Sequence, residues 1–225
     1  MKRLLIITDS LGAPRVTPEI CCYDDTWPCK VKQDVEKFGY DVVIHTINGL
    51  DSTQLVSFAE EKLKLYRPSI IIYQFGIVDC APRVFTGKEK LVFRMFYLHK
   101  IMAFLGKKHH AKLSNLRNST VTTEKLFKEN LKRILEIMHS SIGSIFIPIG
   151  LPCKGYTKIS PRINDKIHRF NDILKNNVEF VIREFEGLES NEIEKIYTSD
   201  HHHLNKYGHD KLYLEVMNCF RSFIV

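Results

Sequence analysis

Five short apolar runs, each followed by a longer stretch with helical spacing, constrain this chain more than any other feature. The runs are Arg3–Ile7, Asp41–Ile47, Ser69–Phe75, Ser144–Ile149 and Ile193–Thr198. They are nearly continuous in apolar, often β-branched residues rather than alternating. That is the pattern of strands covered on both faces, as in a parallel sheet. Between them, the periodicity predicts helices over Val31–Phe38, Thr53–Tyr66, Thr123–His139, Ser160–Arg183 and Asn205–Phe223. Thr123 ahead of Glu124 marks a helix start, and Gly39 and Gly143 stand where helix ends call for a positive φ. Such alternation implies βαβ crossovers and an α/β fold, a three-layer α/β/α domain with a parallel sheet of about five strands. The chain has 225 residues, 44% hydrophobic and 26% charged, which is enough apolar mass for one domain spanning 1–225.

Other function classes fall away on simple grounds. No apolar run approaches the roughly 18 residues of a transmembrane helix. Leu4-Leu5-Ile6-Ile7 is too short for a signal peptide and reads as a first buried strand, so a cytoplasmic protein is expected. Cys21, Cys22, Cys29, Cys80, Cys153 and Cys219 form no C-x-x-C pair, which favours reduced thiols over a zinc site or a disulfide scaffold. Charge is uneven: the net is +7, but Arg83–Arg133 holds 13 Lys/Arg against 3 Asp/Glu. Within it, Leu91–Leu105 is apolar on most sides and is followed by Lys107-Lys108-His109-His110. We read about 84–122 as a helical basic insertion after the third strand, serving as a lid, a dimer contact, a membrane-surface element or simple packing. A basic segment suits an anionic partner or a solvated face equally. Nothing resembles a nucleic-acid-binding motif, and no nucleic-acid partner is expected.

Open α/β sheets bind ligands beyond the carboxyl ends of their strands. The loops there are Thr8-Asp9-Ser10-Leu11-Gly12, Asn48-Gly49-Leu50-Asp51-Ser52, Gly76-Ile77-Val78-Asp79-Cys80-Ala81-Pro82-Arg83 and Ser199-Asp200-His201-His202-His203-Leu204-Asn205. A serine hydroxyl becomes a useful nucleophile only when an imidazole can take its proton, and a carboxylate usually fixes that imidazole. Asp200 and His203, three residues apart, can share one side of a turn and turn Nε2 toward Ser10. The run His201-His202-His203 could instead hold a metal, but no accompanying ligand spacing supports it, and no cofactor is expected.

With these residues in place, the chain resembles the SGNH/GDSL hydrolases. Asp9-Ser10-Leu11 is similar to their nucleophile block, Asn48-Gly49 to the second block, Gly76-Ile77-Val78-Asp79 to the G-x-N-D block, and Asp200-x-x-His203 to the terminal block. Asn205, Gly208 and His209 extend the last. The resemblance implies a flavodoxin-like domain and metal-free ester hydrolysis through an acyl-enzyme. It makes Ser10 the nucleophile, His203 the base and Asp200 its orienting partner, with oxyanion donors from the N–H groups of Ser10 and Gly49. Two positions depart from the pattern. Thr8 replaces a usual glycine, and Val78 replaces the asparagine whose amide would be the third oxyanion donor. Losing one such donor typically costs roughly 100- to 1,000-fold in turnover. Asn48, Val78, Asp79 and Arg83 are the candidate substrate-binding residues, with Arg83 or Asn48 as substitute donor and Arg83 alternatively a grip for an anionic group. Asp9 and Asp79 are also read as acceptors for loop N–H groups, His109-His110 as a solvated patch, and Asn171 as packing or surface. The expected substrate is a carbohydrate or small acylated metabolite losing an acyl, first of all an acetyl, group. A sugar hydroxyl as acceptor in place of water, or a weakly catalytic binding protein, are the alternatives at this point.

Overall fold

A computed structural model describes residues 2–85, 89, 92, 109–138, 143–178, 182 and 188–224. The apolar runs form strands β1 (Lys2–Thr8), β2 (Tyr40–Thr46), β3 (Ile70–Gln74) and β4 (Gly143–Ile147). All pair in parallel in the order β2-β1-β3-β4, with Ile6 opposite both Ile44 and Ile72, and Ile72 opposite Ile145. The helices are α1 (Trp27–Val35), α2 (Ser52–Tyr66), α3 (Ile77–Cys80), α4 (His110–Arg117), α5 (Glu124–Ile137), α6 (Lys154–Ile159), α7 (Ile163–Asn177), α8 (Ser190–Ile196) and α9 (Lys206–Ile224).

Successive side chains of a strand point to opposite faces, so β1 feeds two cores. Leu4 and Ile6 pack with Trp27 and Val31 of α1 and Leu212, Val216 and Phe220 of α9. Leu5 and Ile7 pack with Leu55 and Ala59 of α2, Phe127 and Leu131 of α5, and Ile167 and Phe170 of α7. Helices on both faces explain why the middles of the strands are apolar on both sides, and the expected three layers are present.

Three expectations need correction. The sheet has four strands among the described residues, not five. Ile193–Thr198 is not a strand: α8 occupies most of it, and only Tyr197 makes a β-bridge, to Leu204. Ile193 and Ile196 lie three apart, so a helix turns both toward the core, whereas a strand would put Ile193 beside Lys195 and Ile196 beside Glu194. Gly143 lies in β4 rather than at a left-handed helix end, and a Cβ there would come within 2.5 Å of the Phe223 ring. Gly39 does take the expected positive φ, 80°, and Thr123 does cap α5 by accepting the Leu126 N–H at 3.2 Å. Most of the basic insertion, including Leu91–Leu105, Lys107 and Lys108, lies outside the described residues, as does most of Glu184–Leu188. No described helix is long and apolar enough to cross a membrane.

β1 sends the chain to β2 on one side before it returns to β3 on the other. The reversal opens a crevice beyond the carboxyl ends of β1 and β3. Ser10 and Gly76 follow those two strands.

Candidate active site

The turn after β1 is held from several directions. Asp9 N–H donates to the Gln74 carbonyl at 3.0 Å, continuing the β1–β3 ladder for one residue. Ser10 then opens a 3-10 turn to Gly12, and Asp9 Oδ1 caps it by accepting the Leu11 N–H at 2.8 Å. Gly12 leaves room for Thr8: a Cβ at position 12 would sit 2.3 Å from Thr8 Oγ1. The Thr8 hydroxyl donates to Gln74 Oε1 at 2.8 Å, which also accepts Trp27 Nε1–H at 2.9 Å. Threonine in place of the usual glycine is thus absorbed by packing and one buried hydrogen bond. Asp9 itself is fully buried, and loss of water pushes its carboxyl up to about 7, with Asp79 adding to the rise and the Leu11 N–H and Arg15 opposing it.

The loop between α8 and α9 brings the imidazole. Asp200 organises it: Oδ1 accepts Thr198 Oγ1–H at 2.9 Å, His203 N–H at 3.0 Å and His202 N–H at 3.2 Å. Thr198 N–H closes onto the His203 carbonyl at 2.8 Å, and His201 takes a left-handed φ of 73° to make the turn. Asn205 Oδ1 accepts the Gly208 N–H at 2.9 Å at the start of α9, while the buried His209 Nδ1 accepts the Trp27 N–H at 3.2 Å.

Asp200 Oδ2 then lies 2.6 Å from His203 Nδ1, and His203 Nε2 lies 3.2 Å from Ser10 Oγ. Burial works against ionisation of Asp200, but the hydrogen bonds from His203, His202 and Thr198 outweigh it and hold the carboxyl well below its ordinary range. An ionised carboxylate only accepts, so the proton sits on His203 Nδ1 and Nε2 is left to accept from Ser10. Burial is also the main reason His203 drops to about 4, with the Asp200 hydrogen bond opposing and His202 and Arg15 adding to the fall.

On the remaining side, Gly49 has a φ of 74°, which a glycine adopts without strain. Among the described residues, neither the Ser10 nor the Gly49 N–H donates to another protein group. Asn48 beside it is exposed, and Val78 in α3 is half-buried with an apolar side chain. Asp79, a candidate for contact with substrate, is instead fully buried. It accepts the Ser52 N–H at 3.0 Å and the Ser52 hydroxyl at 2.6 Å, so it anchors the Gly49 loop to α3. Arg83 lies just beyond, half-buried, with its backbone bridged to Ser119 and its Nε buried without a partner.

Several neighbours were not legible beforehand. Arg15 donates from Nη2 to the Ser10 carbonyl at 2.7 Å, and its backbone is paired with Cys21 at 2.9 Å in both directions. Glu19 accepts the Ser199 N–H at 3.0 Å, tying this loop to the histidine loop. Asn171, expected as packing or surface, is a buried clamp that exchanges two 2.9 Å hydrogen bonds with the Ile149 backbone beyond β4. No spacing rule singles out any of them, since each acts through a fold contact. Asp200, His202 and His203 are the one group of metal-type ligands gathered among the described residues, with ligand atoms within 4.8 Å of one another. At 2.6 Å, however, Asp200 Oδ2 and His203 Nδ1 are spent on each other. The His202 ring packs 4.7 Å from Tyr156, and the His201 ring against Gly155.

No protein-family model and no curated protein sequence matches the chain. Solved structures do. A lipase/acylhydrolase from Enterococcus faecalis is 14% identical with a TM-score of 0.62, over 97% of this chain and 94% of that one. The acetylxylan esterase Axe2 from Geobacillus stearothermophilus, as a catalytic mutant, is 14% identical with a TM-score of 0.63, over 96% and 93%. The psychrotrophic esterase EstA from Pseudoalteromonas sp., inhibited by monoethylphosphonate, is 14% identical with a TM-score of 0.59, over 100% and 99%. What is shared at this identity is the architecture: the chain adopts the fold of the SGNH/GDSL hydrolases, as its four blocks predicted.

Proposed function

We propose that the protein is a serine esterase that removes an acyl group, an acetyl group in the first instance, from a carbohydrate or small acylated metabolite. The observation that carries this reading is the continuous relay from Asp200 Oδ2 to His203 Nδ1 at 2.6 Å and from His203 Nε2 to Ser10 Oγ at 3.2 Å. The likeness to an acetylxylan esterase supports the acetyl and carbohydrate parts.

His203 Nε2 takes the Ser10 proton as Oγ adds to the ester carbonyl, and the N–H groups of Ser10 and Gly49 face the resulting oxyanion. The imidazolium returns that proton to the departing alkoxide as the C–O bond breaks, leaving acyl-Ser10. Water then gives a proton to His203 while adding to the acyl carbon. Collapse restores the Ser10 hydroxyl and frees the carboxylic acid. Asp200 keeps its charge throughout and stabilises the imidazolium.

A fluorophosphonate probe followed by peptide mass spectrometry tests this. Ser10 should carry the adduct in the native chain, and Ser10→Ala should carry none. A folded native protein that takes no label and turns over no 4-nitrophenyl acetate overturns the reading.

A further inference from the structure

Two arginines border the crevice without an ion-pair partner among the described residues. Arg15 spends Nη2 on the Ser10 carbonyl at 2.7 Å, and Nε is buried with nothing to donate to. Arg83, in the loop that follows β3 and α3, likewise has a buried Nε without an acceptor. A guanidinium cannot shed its proton at any ordinary pH, so a partly buried one needs carboxylates, carbonyls or an external anion to offset lost hydration. Among the described residues, the Arg15 guanidinium has one hydrogen-bond acceptor, the Ser10 carbonyl, with the Asp200 charge nearby, and the Arg83 guanidinium has none.

Arg15 is electrically joined to the relay, and Arg83 to the tyrosine packed beside it. Asp200, Asp9 and His203 all feel the charge of Arg15. The Tyr156 ring packs 4.7 Å from His202, and its phenol, pushed up chiefly by burial, feels both Arg83 and Asp200. Positive charge here also helps explain why His203 stays neutral. An arginine fork suits planar or tetrahedral oxyanions, which it can grip with two parallel N–H bonds.

We propose that Arg15 and Arg83 form an anion-binding subsite beside Ser10, and that the ester this protein hydrolyses carries a carboxylate or phosphate near its scissile bond. This rests on the serine esterase reading and adds the substrate class to it. The subsite holds the substrate's charge while the relay acts on its carbonyl, so binding energy from the remote anion offsets the weak oxyanion side.

The experiment compares matched esters on the native chain: acetylated glucose, its glucuronate counterpart and its 6-phosphate counterpart, with 4-nitrophenyl acetate against mono-4-nitrophenyl succinate for a charge on the acyl half. A charged ester should be favoured in kcat/KM by about 10- to 100-fold over its neutral match, the range of one or two charge-assisted hydrogen bonds. The preference should shrink with added salt and fall at least about tenfold in Arg83→Gln. The glucuronate and 6-phosphate arms tell carboxylate from phosphate. Arg15→Gln also removes the bond to the Ser10 carbonyl, so binding of glucose 6-phosphate and glucuronate to Ser10→Ala, against the same protein with Arg15→Gln added, supplies a readout free of catalysis. Equal rates on charged and neutral esters, or a preference that neither salt nor Arg83→Gln reduces, overturns the subsite. If Ser10 still takes the phosphonate label in that case, the esterase reading stands without it.

Discussion

In the loop between α8 and α9, Asp200 receives hydrogen bonds from the Thr198 hydroxyl, the N–H groups of His202 and His203, and the His203 ring. In α3, just after β3, Val78 is half-buried and its side chain carries no donor at all. The first region fixes an imidazole in one tautomer and one orientation. On the proposed mechanism, the second leaves a developing negative charge to two backbone N–H groups. Proton transfer and oxyanion stabilisation are separate contributions to catalysis. A protein that is rigid in one and sparse in the other should be competent but slow on a minimal ester, unless the substrate brings binding energy of its own.

The largest effects should come from breaking the rigid side. His203→Ala should lower turnover of 4-nitrophenyl acetate by about a thousandfold or more, and Asp200→Asn by up to roughly 10⁴-fold, because the amide favours the wrong tautomer. His201→Ala and His202→Ala should stay within a few-fold of the native rate. The same assays with a chelator should show no loss. Inhibition by the chelator together with a large loss in His202→Ala would turn the Asp200, His202 and His203 cluster from a proton relay into a metal site.

A smaller effect should come from repairing the sparse side. Val78→Asn should raise kcat on neutral acetyl esters by about 10- to 100-fold, if its amide reaches the oxyanion as one side-chain donor does elsewhere. An unchanged rate in a folded variant would mean that another group already donates there, and Arg83 would then be the first to replace as an oxyanion donor instead of an anion grip.

The two regions also differ in how readable they are. Ser10 is legible because it follows the continuous apolar run Leu4–Ile7 of the first strand. Asp200 and His203 are legible because their spacing is local and the helix after them follows the expected pattern, although the strand expected before them is α8. Gly49 is legible only through the resemblance of Asn48-Gly49 to a family block; the reciprocal cap of Asp51 and Gln54 that starts α2 just after it is visible in the structure. Arg15 is not, because its contact with Ser10 depends on the chain folding back to pair with Cys21. Asn171 reaches Ile149 only once α7 lies along the sheet. The α8 segment reads as a strand for a different reason. Its two isoleucines fit either element by composition, and only their spacing of three, read against the charges between them, separates helix from strand.

The smallest expected effect is on the acid limb, and it probes the rigid side without mutation. Burial and the nearby positive charge of Arg15 put the His203 imidazole at about 4 rather than near 6.5. Only the neutral ring can take the Ser10 proton, so kcat/KM should stay level as pH falls through 6.5 and drop to half near 4. Folding pulls in two directions over the same range. The lowered His203, and His209 at about 3, bind protons less tightly folded than unfolded, so their contribution to stability is complete above 6.5 and is lost as pH falls toward those values. Asp9, raised to about 7, has the opposite sign: its protonated form favours the fold below its ordinary value of 3.8, and that contribution is lost as pH rises through 7. Circular dichroism at each pH separates loss of fold from titration of the base. If the rate halves near 6.5 with the fold intact, His203 is solvated like an ordinary surface imidazole, and the crevice is wetter than its packing implies. If it halves near 4, the low proton affinity is itself part of why the side that receives the Ser10 proton works on a substrate whose oxyanion it can only half satisfy: a ring that gives its proton up readily is a strong acid toward the departing alkoxide.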